Sequence, residues 1–246
     1  MKLDFKTDGG IGTHANLGVI VLEADETLED EFRRIIPRAG VALYVSRIKM
    51  APTISADTLV QMEADLPFSA SLFPEIRFDA IGFGCTSAAT FIGPAKVAEA
   101  IISVCPGAQV SNPLSAIISA GTALGVRRIG VVTPYVADVS AQMCQMLRQA
   151  GFEISGFGSF EAADDRVVAR ISPDSILSAI KEVAAKAPCD AVIVSCTNLR
   201  CLDVITTAEE LLGIPIITSN QALAWTMLRL SGIYTKRPEF GQLFAI

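Results

Sequence analysis

The sequence predicts an α/β protein of two pseudo-symmetric, duplicated domains, each a small open parallel sheet flanked by helices. Short β-branched runs alternate with longer amphipathic segments, which is typical of parallel sheets covered on both faces. Sequence motifs also recur at an offset of 111 or 112 residues. Hydrophobic residues make up 51% of the 246 residues and charged residues 19%, which is enough apolar surface for a substantial core.

Eight short runs rich in Val and Ile are the predicted strands. They are Leu17–Leu22, Val41–Ser46, Ala80–Gly84, Gln109–Ser111, Arg128–Thr133, Glu153–Gly158, Ala191–Ser195 and Ile214–Thr218. The segments between them are predicted helices, and two of these begin at recognisable signals. Thr27 precedes Asp30 and Glu31, and Ser172 precedes an apolar run.

The repeat is clearest in the motif Asp-Ala-x-x-x-x-Cys-Thr, which ends at Cys85-Thr86 and again at Cys196-Thr197. Each copy includes the third strand of its half, so each half is expected to form a sheet of order 2-1-3 or similar. Each cysteine then lies just beyond the carboxyl end of that strand, where open parallel sheets bind ligands. Two such edges facing one another predict an active site in an interdomain cleft.

The domain division follows from where the repeat restarts. We expect an N-terminal domain of residues 1–117 plus 219–246 and a C-terminal domain of residues 118–218, with the boundary near Pro113–Ser119. A last helix at Gln221–Leu230 is expected to pack back on the first domain, with Trp225 as its core anchor.

Charge and composition argue against several classes of partner. The net charge is −6 and no basic run is present, so neither nucleic acid nor an anionic membrane is an expected partner. The sequence lacks a secretory signal and a long uncharged apolar stretch, which predicts a cytoplasmic protein. No CxxC pair occurs and His14, expected at the surface, is the single histidine, so no metal and no cofactor are expected.

Cys85 and Cys196 are the predicted catalytic residues. At a strand-to-helix junction, free backbone N–H groups and the helix dipole can stabilise a thiolate. A lone cysteine in an apolar strand is ordinarily a packing residue, but two at equivalent positions of a repeat favour catalysis. Two opposed thiols suit proton transfer across one carbon, which is racemisation, or thiolate addition and elimination, which is cis–trans isomerisation.

These motifs resemble the aspartate/glutamate racemase superfamily, specifically its branch with maleate cis–trans isomerase and arylmalonate decarboxylase. The resemblance rests on Gly82–Ser87, Val132–Tyr135, Ser195–Asn198, and Gly18–Val21 followed by Thr27–Glu29. It implies two pseudo-symmetric α/β domains, a small carboxylate as substrate, and a dimer or larger homo-oligomer.

The same resemblance implies roles for residues beside the two cysteines. Tyr135 would lie in the active site. Hydrogen-bond donors to a substrate carboxylate or enediolate would come from the residues that follow each cysteine. They are Thr86, Ser87, Thr197 and Asn198.

Two departures from the maleate isomerase pattern bear on the substrate. Where that family has Pro-Ser-Ser-Asn after the first strand, this chain has Leu22-Glu23-Ala24-Asp25, so Asp25 takes the place of the asparagine. A second asparagine of that family is matched by Asp165. Ionised Asp accepts hydrogen bonds and repels anions, which favours a substrate with an N–H or ammonium group. A helix N-cap is the alternative role for Asp25, and a surface turn is the alternative for Asp165.

We therefore expect an amino-acid or cyclic amino-acid derivative as substrate. The segment Leu22–Phe32 also resembles the EutA protein of ectoine utilisation. Three alternatives stay open. They are an arylmalonate-type decarboxylase, which in that family has Gly in place of Cys85, a small-molecule-binding module, and a family member that binds a pathway intermediate without converting it.

Overall fold

Two four-stranded parallel sheets organise the computed structural model, which describes residues 1–50 and 56–246. The first sheet has the order β2-β1-β3-β4 and the second the order β6-β5-β7-β8. The strands are β1 (Ala15–Leu22), β2 (Val41–Ile48), β3 (Ala80–Gly84), β4 (Gln109–Ser111), β5 (Arg128–Thr133), β6 (Glu153–Ser159), β7 (Ala191–Val194) and β8 (Ile216–Thr218). The predicted strands and the two-sheet α/β class are confirmed.

Helices connect consecutive strands, as parallel pairing requires. In the described part of the chain they are α1 (Leu28–Ile35), α2 (Ala56–Ser71), α3 (Thr86–Ile92), α4 (Pro94–Ile102), α5 (Pro113–Ala123), α6 (Ala137–Gln149), α7 (Asp165–Val168), α8 (Pro173–Lys186), α9 (Ile205–Leu212) and α10 (Ser219–Leu230). None of the described helices is long and apolar enough to cross a membrane.

The two sheets share one topology, and this is the structural form of the sequence repeat. In the first sheet Leu17 of β1 pairs with Ala80 of β3, and in the second Ile129 of β5 pairs with Ala191 of β7. In both sheets the central pair is flanked by the second and fourth strands of that half. Each cysteine of the repeat therefore follows an interior strand, and the pseudo-symmetry predicted from the sequence is confirmed.

Alternation along β1 divides the apolar interior into two cores. Leu17 and Val19 face a core that continues into the second sheet, whereas Ile20 packs on the other face with Phe83. Successive side chains of a strand point to opposite faces, so a strand buried on both faces reads as a continuous apolar run. This explains why β1 is hydrophobic at almost every position.

Helices α5 and α10 lie between the halves. The segment predicted as the domain boundary, Pro113–Ser119, forms the first two turns of α5. Helix α10 packs on the first sheet, where a Cβ atom at Gly82 would lie 2.6 Å from Met227 Sδ. Trp225 of α10 is buried, with the Arg229 guanidinium 3.8 Å from its ring centroid. The division at residues 117 and 219 stays a proposal.

Several element ends differ from the sequence expectation by one or two residues, and two of these ends and one helix cap have a clear local reason. Strand β8 begins at Ile216 because the preceding Pro215 has no N–H group to donate to the sheet. Helix α10 begins two residues early, at Ser219, because Thr218 and Gln221 form a reciprocal capping box. The Thr27 side chain does not cap α1, because the Asp25 carboxyl group accepts the hydrogen bonds of the first N–H groups there.

Candidate active site

A closed cavity lies where the carboxyl ends of the central strands of both sheets meet. The nine predicted site residues, together with three apolar ones, line it: Leu22, Asp25, Met50, Met62, Cys85, Thr86, Ser87, Tyr135, Asp165, Cys196, Thr197 and Asn198. The space open to the centre of a water molecule is about 10 Å³, which is room for about one water. A substrate therefore enters only when the walls move apart.

Cys85 forms the N-cap of α3, directly after β3. Its Sγ atom accepts a hydrogen bond from the Ala88 N–H at 3.3 Å and lies 3.5 Å from Ser87 Oγ. Burial raises the pKa of the Cys85 thiol to about 11, while these two hydrogen bonds oppose the rise. A thiolate at this position can thus accept from one backbone N–H group, that of Ala88, and from the Ser87 hydroxyl.

Cys196 lies at the equivalent end of β7, in a more acidic environment. Its Sγ atom accepts a hydrogen bond from the Asn198 N–H at 3.4 Å. Burial raises the pKa of the Cys196 thiol above that of Cys85, and the negative charge of Asp165 raises it further. Of the two thiols, Cys85 is therefore the more acidic.

Tyr135 and three hydroxyl side chains complete the polar wall. Burial raises the pKa of Tyr135 well above its ordinary value, and the charges of Cys196 and Cys85 raise it further, which places the phenol near both cysteines. Thr86 Oγ1 lies 3.0 Å from Ser219 Oγ of α10. Thr197 Oγ1 reaches across to the Gly84 carbonyl at 3.4 Å, so β7 and β3 are joined at the cavity.

Asp25 both caps α1 and enters the cavity. Its Oδ1 atom accepts hydrogen bonds from the N–H groups of Thr27 and Leu28, both at 2.8 Å. Its Oδ2 atom is buried and has no hydrogen-bond partner. Burial raises the pKa of Asp25, and the two backbone hydrogen bonds oppose that rise. The N-cap role and the site role weighed as alternatives are thus compatible, because each uses a different oxygen.

Capping by Asp25 releases the Thr27 hydroxyl for another contact. Thr27 Oγ1 donates to the Asn198 carbonyl at 3.0 Å, and the Glu26 N–H donates to Asn198 Oδ1 at 2.9 Å. The Asn198 amide also donates to the Asp165 carbonyl at 3.0 Å. The Asn198 side chain therefore joins the two walls of the cavity. Its amide group, predicted to donate a hydrogen bond to the substrate, already donates one to the Asp165 carbonyl.

Asp165 begins the short helix α7 and is half-buried beside the cavity. Burial raises its pKa to about 6, and the carboxyl groups of Asp25 and Asp164 add to the rise. An ordinary surface turn, the alternative reading of this residue, does not produce such burial. The two substituted aspartates thus lie close enough to repel each other, on one side of the cavity.

An ion pair closes the outer edge of these walls. The Arg170 guanidinium donates to both carboxylate oxygens of Glu26, at 2.7 and 3.0 Å. Glu26 follows Asp25 in the β1–α1 loop, and Arg170 follows α7, so the pair joins the loops that carry the two site aspartates. Both side chains are exposed, and separation of the walls requires this contact to break.

Three apolar residues, Leu22, Met50 and Met62, also line the cavity and were not predicted as site residues from the sequence. Leu22 and Met50 lie at or beyond the carboxyl ends of β1 and β2, so the edge rule that identified Cys85 applies to them as well. Met62 comes from the middle of α2, and nothing in its sequence context marks it. Flexible thioether side chains give this wall an adaptable surface.

Two duplicated parallel sheets that each bring one cysteine to a shared cavity define a class of two-cysteine α/β proteins. The family model of arylmalonate decarboxylase (Amdase) matches residues 100–244. This is more than half of the chain, and the chain belongs to that family. The resemblance drawn from the cysteine motifs is confirmed.

Two maleate isomerases match nearly the whole chain, and an arylmalonate decarboxylase matches just over half of it. A maleate isomerase of Nocardia farcinica is 26% identical over 238 residues, which cover 92% of this chain and 94% of that protein. A maleate isomerase of Geobacillus stearothermophilus is 23% identical over 94% of this chain and 98% of its own. The arylmalonate decarboxylase of Bordetella bronchiseptica is 30% identical over 140 residues, 56% of this chain and 58% of its own.

Solved structures agree with this placement. The maleate isomerase of Pseudomonas putida S16, solved with maleate as a Cys-to-Ala variant, superposes with a TM-score of 0.85 at 23% identity. The match covers 94% of this chain and 97% of that one, and it shows the shared fold. The Nocardia farcinica enzyme bound to TRIS superposes with a TM-score of 0.84 at 25% identity, over 94% and 98% of the two chains.

Proposed function

We propose that this chain is a cofactor-independent isomerase that uses Cys85 and Cys196 on a small carboxylate substrate. The observation that carries the proposal is the placement of both cysteines, from equivalent ends of β3 and β7, at one closed cavity. The family supports it, since the full-length relatives are maleate isomerases. A Cys-to-Ser variant of the Nocardia farcinica enzyme carries a covalently bound succinylcysteine intermediate.

The unequal environments assign the roles of the two thiols. Cys85 has two hydrogen-bond donors to its sulfur and the lower pKa, so it acts first, as thiolate base or nucleophile. Cys196 has the higher pKa beside Asp165 and keeps its proton, so it acts as the acid. In racemisation Cys85 takes the proton from one face of the carbon, and Cys196 donates its own to the other face.

In the cis–trans alternative the same residues form and break one bond. The Cys85 thiolate adds to the alkene carbon and Cys196 protonates the neighbouring carbon, which leaves a single bond free to rotate. Removal of a proton by the Cys196 thiolate and departure of Cys85 then restore the alkene in its other geometry, with no net change in protons or electrons.

The finer proposal is a substrate with an N–H or ammonium group, such as an amino-acid or cyclic amino-acid derivative of the ectoine type. The described lining residues include two carboxyl groups and no Lys, Arg or His side chain. The buried Asp25 Oδ2 atom has no partner, and a substrate N–H group would supply one. A positive charge at that point would also lower the raised pKa values of both thiols.

Decarboxylation of an arylmalonate-type substrate is the second candidate, because the matched family model is that of arylmalonate decarboxylase. Such a reaction needs one proton donor on one face after loss of carbon dioxide. It therefore predicts that Cys196 alone is required, whereas the isomerase predicts a need for both thiols. We favour the isomerase because Cys85 lines the cavity with its own pair of hydrogen-bond donors.

Proton NMR in D2O separates these functions. The wild-type protein is incubated with maleate, aspartate, glutamate, hydantoins, ectoine and its ring-opened acetyl-diaminobutyrates, beside Cys85→Ser, Cys196→Ser and Cys144→Ser. Cys144 is a matched control, because it is buried but lies outside the cavity.

The outcomes of this panel are distinct. Deuterium entering at a Cα position, lost in both cavity variants and kept in Cys144→Ser, supports the two-thiol racemase on an N–H substrate. Fumarate formed from maleate with the same mutational pattern supports the coarser isomerase and overturns the N–H preference. Silence on every compound, with both thiols inert to iodoacetamide, overturns the catalytic proposal in favour of a binding module.

A further inference from the structure

Glu31 is a buried carboxyl group that lines no part of the cavity. It lies on α1, in the first half of the chain, and only 3% of its surface is exposed. Its Oε1 atom accepts hydrogen bonds from the N–H groups of Cys201 and Leu202, both at 2.8 Å. Those two residues end the loop that follows Cys196 in the second half, so Glu31 holds one end of the loop from across the molecule.

Asn220 of α10 connects Glu31 to the other end of that loop. Its Nδ2 atom donates to Glu31 Oε2 at 2.8 Å and to the Thr197 carbonyl at 2.7 Å. Thr197 follows Cys196 directly and itself lines the cavity. The Glu31 carboxyl group therefore holds both ends of the segment between Thr197 and Leu202, the Leu202 end directly and the Thr197 end through Asn220.

The donors and acceptors of this network match only when Glu31 is ionised and accepts all three hydrogen bonds. Asn220 spends both amide hydrogens on its two acceptors, while its Oδ1 atom is buried without a partner. A protonated Glu31 would offer a hydrogen where Asn220 also offers one. Rotation of the amide would relieve that clash, but it would turn Oδ1 toward Glu31 and take a donor away from the Thr197 carbonyl.

Burial opposes the same ionised form. It raises the pKa of Glu31 to about 7, the three hydrogen bonds lower it, and the charge of Asp25 raises it again. The other ionisable groups that face Glu31 are the Cys201 thiol, whose own pKa is raised, and Arg34 on its own helix. The network is thus complete only above neutral pH, and protonation breaks it progressively as the pH falls through about 7.

We infer that Glu31 is a positioning residue for Cys196: as a carboxylate, through Asn220 and the N–H groups of Cys201 and Leu202, it fixes the loop that holds the acid thiol in place. The kinetic consequence of this inference rests on the proposed function. Its structural consequence, the position of Cys196, does not.

A second buried glutamate supplies a matched control. Glu209 of α9 is 8% exposed and accepts backbone N–H hydrogen bonds from Ile216 and Gln242. It resembles Glu31 in burial and in bonding, but its hydrogen bonds in the described part of the chain go to Ile216 and Gln242 and not to the Cys196 loop. Glu209→Gln therefore reports what the loss of any buried carboxylate does to the protein.

The test is the rate at which iodoacetamide alkylates Cys196 relative to Cys85, mapped by peptide mass spectrometry on the folded full chain. Both thiols have pKa values raised far above neutrality, so the thiolate fraction of each changes with pH by the same factor. Taking the ratio of the two alkylation rates therefore removes most of this pH effect. In Glu31→Gln we expect the ratio to rise about tenfold at about pH 8.5, where wild-type Glu31 is ionised, the effect of losing one charge-assisted hydrogen bond. Glu209→Gln should leave it within about twofold.

Acidification should give wild-type protein the ratio of the variant. Between about pH 8 and about pH 5.5 the wild-type ratio should rise toward that of Glu31→Gln, whose own ratio should stay flat, because only the wild type has a carboxyl group to protonate. Asn220→Ala should raise the ratio to a similar degree, and the double variant should not exceed either single one. On a substrate that the wild type converts, kcat should fall and KM should not.

Several results would overturn the inference. They are an unchanged ratio in Glu31→Gln, an equal rise in Glu209→Gln, or additive effects of Glu31→Gln and Asn220→Ala. Should Glu31→Gln fail to fold while Glu209→Gln folds, Asn220→Ala decides, because it removes the same relay without a change of charge. A wild type that converts nothing refutes the proposed function alone, since the alkylation ratios are measured without substrate.

Discussion

Asp165→Asn should improve the handling of maleate, because it removes the negative charge that opposes a dicarboxylate in this cavity. The pKa of Asp165 rises from 3.8 to about 6, through burial and the repulsion of Asp25 and Asp164. At about 1.4 kcal/mol for each pKa unit, this rise corresponds to about 3 kcal/mol. A substrate carboxylate placed beside ionised Asp165 meets a repulsive cost that is only part of this figure, because burial is the largest cause of the rise.

An amide at position 165 removes the repulsion and adds a hydrogen-bond donor. Repulsion accounts for only part of about 3 kcal/mol, because burial is the largest cause of the rise, so kcat/KM for maleate should rise about tenfold. Fumarate formation is followed by proton NMR. Protection of Cys85 against iodoacetamide by maleate gives an affinity even where turnover is slow. The advantage of the variant should shrink below about pH 6, where Asp165 of the wild type takes up a proton.

Asp164→Asn is the matched control for this substitution. Asp164 is the neighbouring residue, but its carboxylate is exposed and forms an ion pair with Arg166 at 2.8 Å. It should change kcat/KM for maleate by no more than about twofold, as expected for an exposed ion pair. An equal gain from both variants, or no gain from Asp165→Asn in a protein with an unchanged circular dichroism spectrum, would refute the electrostatic reasoning.

Three further predictions concern closure, packing and pH. Arg170→Gln should raise the alkylation rate of Cys85 about two- to fivefold, because the exposed pair with Glu26 spans the closed walls; an unchanged rate would mean that the pair does not limit opening. Gly156→Ala should lower the free energy of unfolding by about 1–3 kcal/mol in urea denaturation, since its Cβ would lie 2.6 Å from the Val183 carbonyl oxygen, while Gly9→Ala, with open space around it, should be neutral. The free energy of unfolding should fall by about 3 kcal/mol as pH rises from 4.5 to about 7, because Glu31 keeps its proton over that range in the folded protein but not in the unfolded chain. Glu31→Gln should flatten this part of the stability curve. A wild-type free energy of unfolding that rises over this range would contradict the prediction.

Most of the fold follows from the sequence because parallel strands buried on both faces leave a strong local pattern. The runs at β1, β5 and β7 are almost wholly apolar, and each ends where a polar motif begins. The repeat then fixes which strands are equivalent, and the edge rule places Cys85 and Cys196 at corresponding ends. These inferences need only local composition and spacing.

The contacts between the halves leave no comparable pattern. Glu31 fits the first-turn acidic signal of an exposed helix start, yet its carboxyl group bonds to residues about 170 positions away. Met62 lies on α2 among ordinary helix residues, and only the tertiary fold brings it to the cavity. Long-range partners of single side chains are set by how the two sheets dock, which the spacing along the chain does not encode.

The duplicated scaffold makes the two cysteines equivalent in position, and residues that differ between the two copies make them unequal in chemistry. At the offset of 112 residues Asp25 corresponds to Ala137 and Glu31 to Met143, so these two acidic groups have apolar counterparts in the second half. Burial is the largest cause of the raised pKa at both thiols, and Asp165 and Asp25 raise both further. The charge of Asp165 is the second-largest cause at Cys196, whereas at Cys85 the hydrogen bonds from Ser87 and Ala88 outweigh it. Proton transfer across one carbon needs one thiolate and one thiol, and the reverse reaction exchanges the two roles. In the proposed function, loss of sequence symmetry around a symmetric fold therefore sets which thiol is ionised first, and not whether the reaction can run.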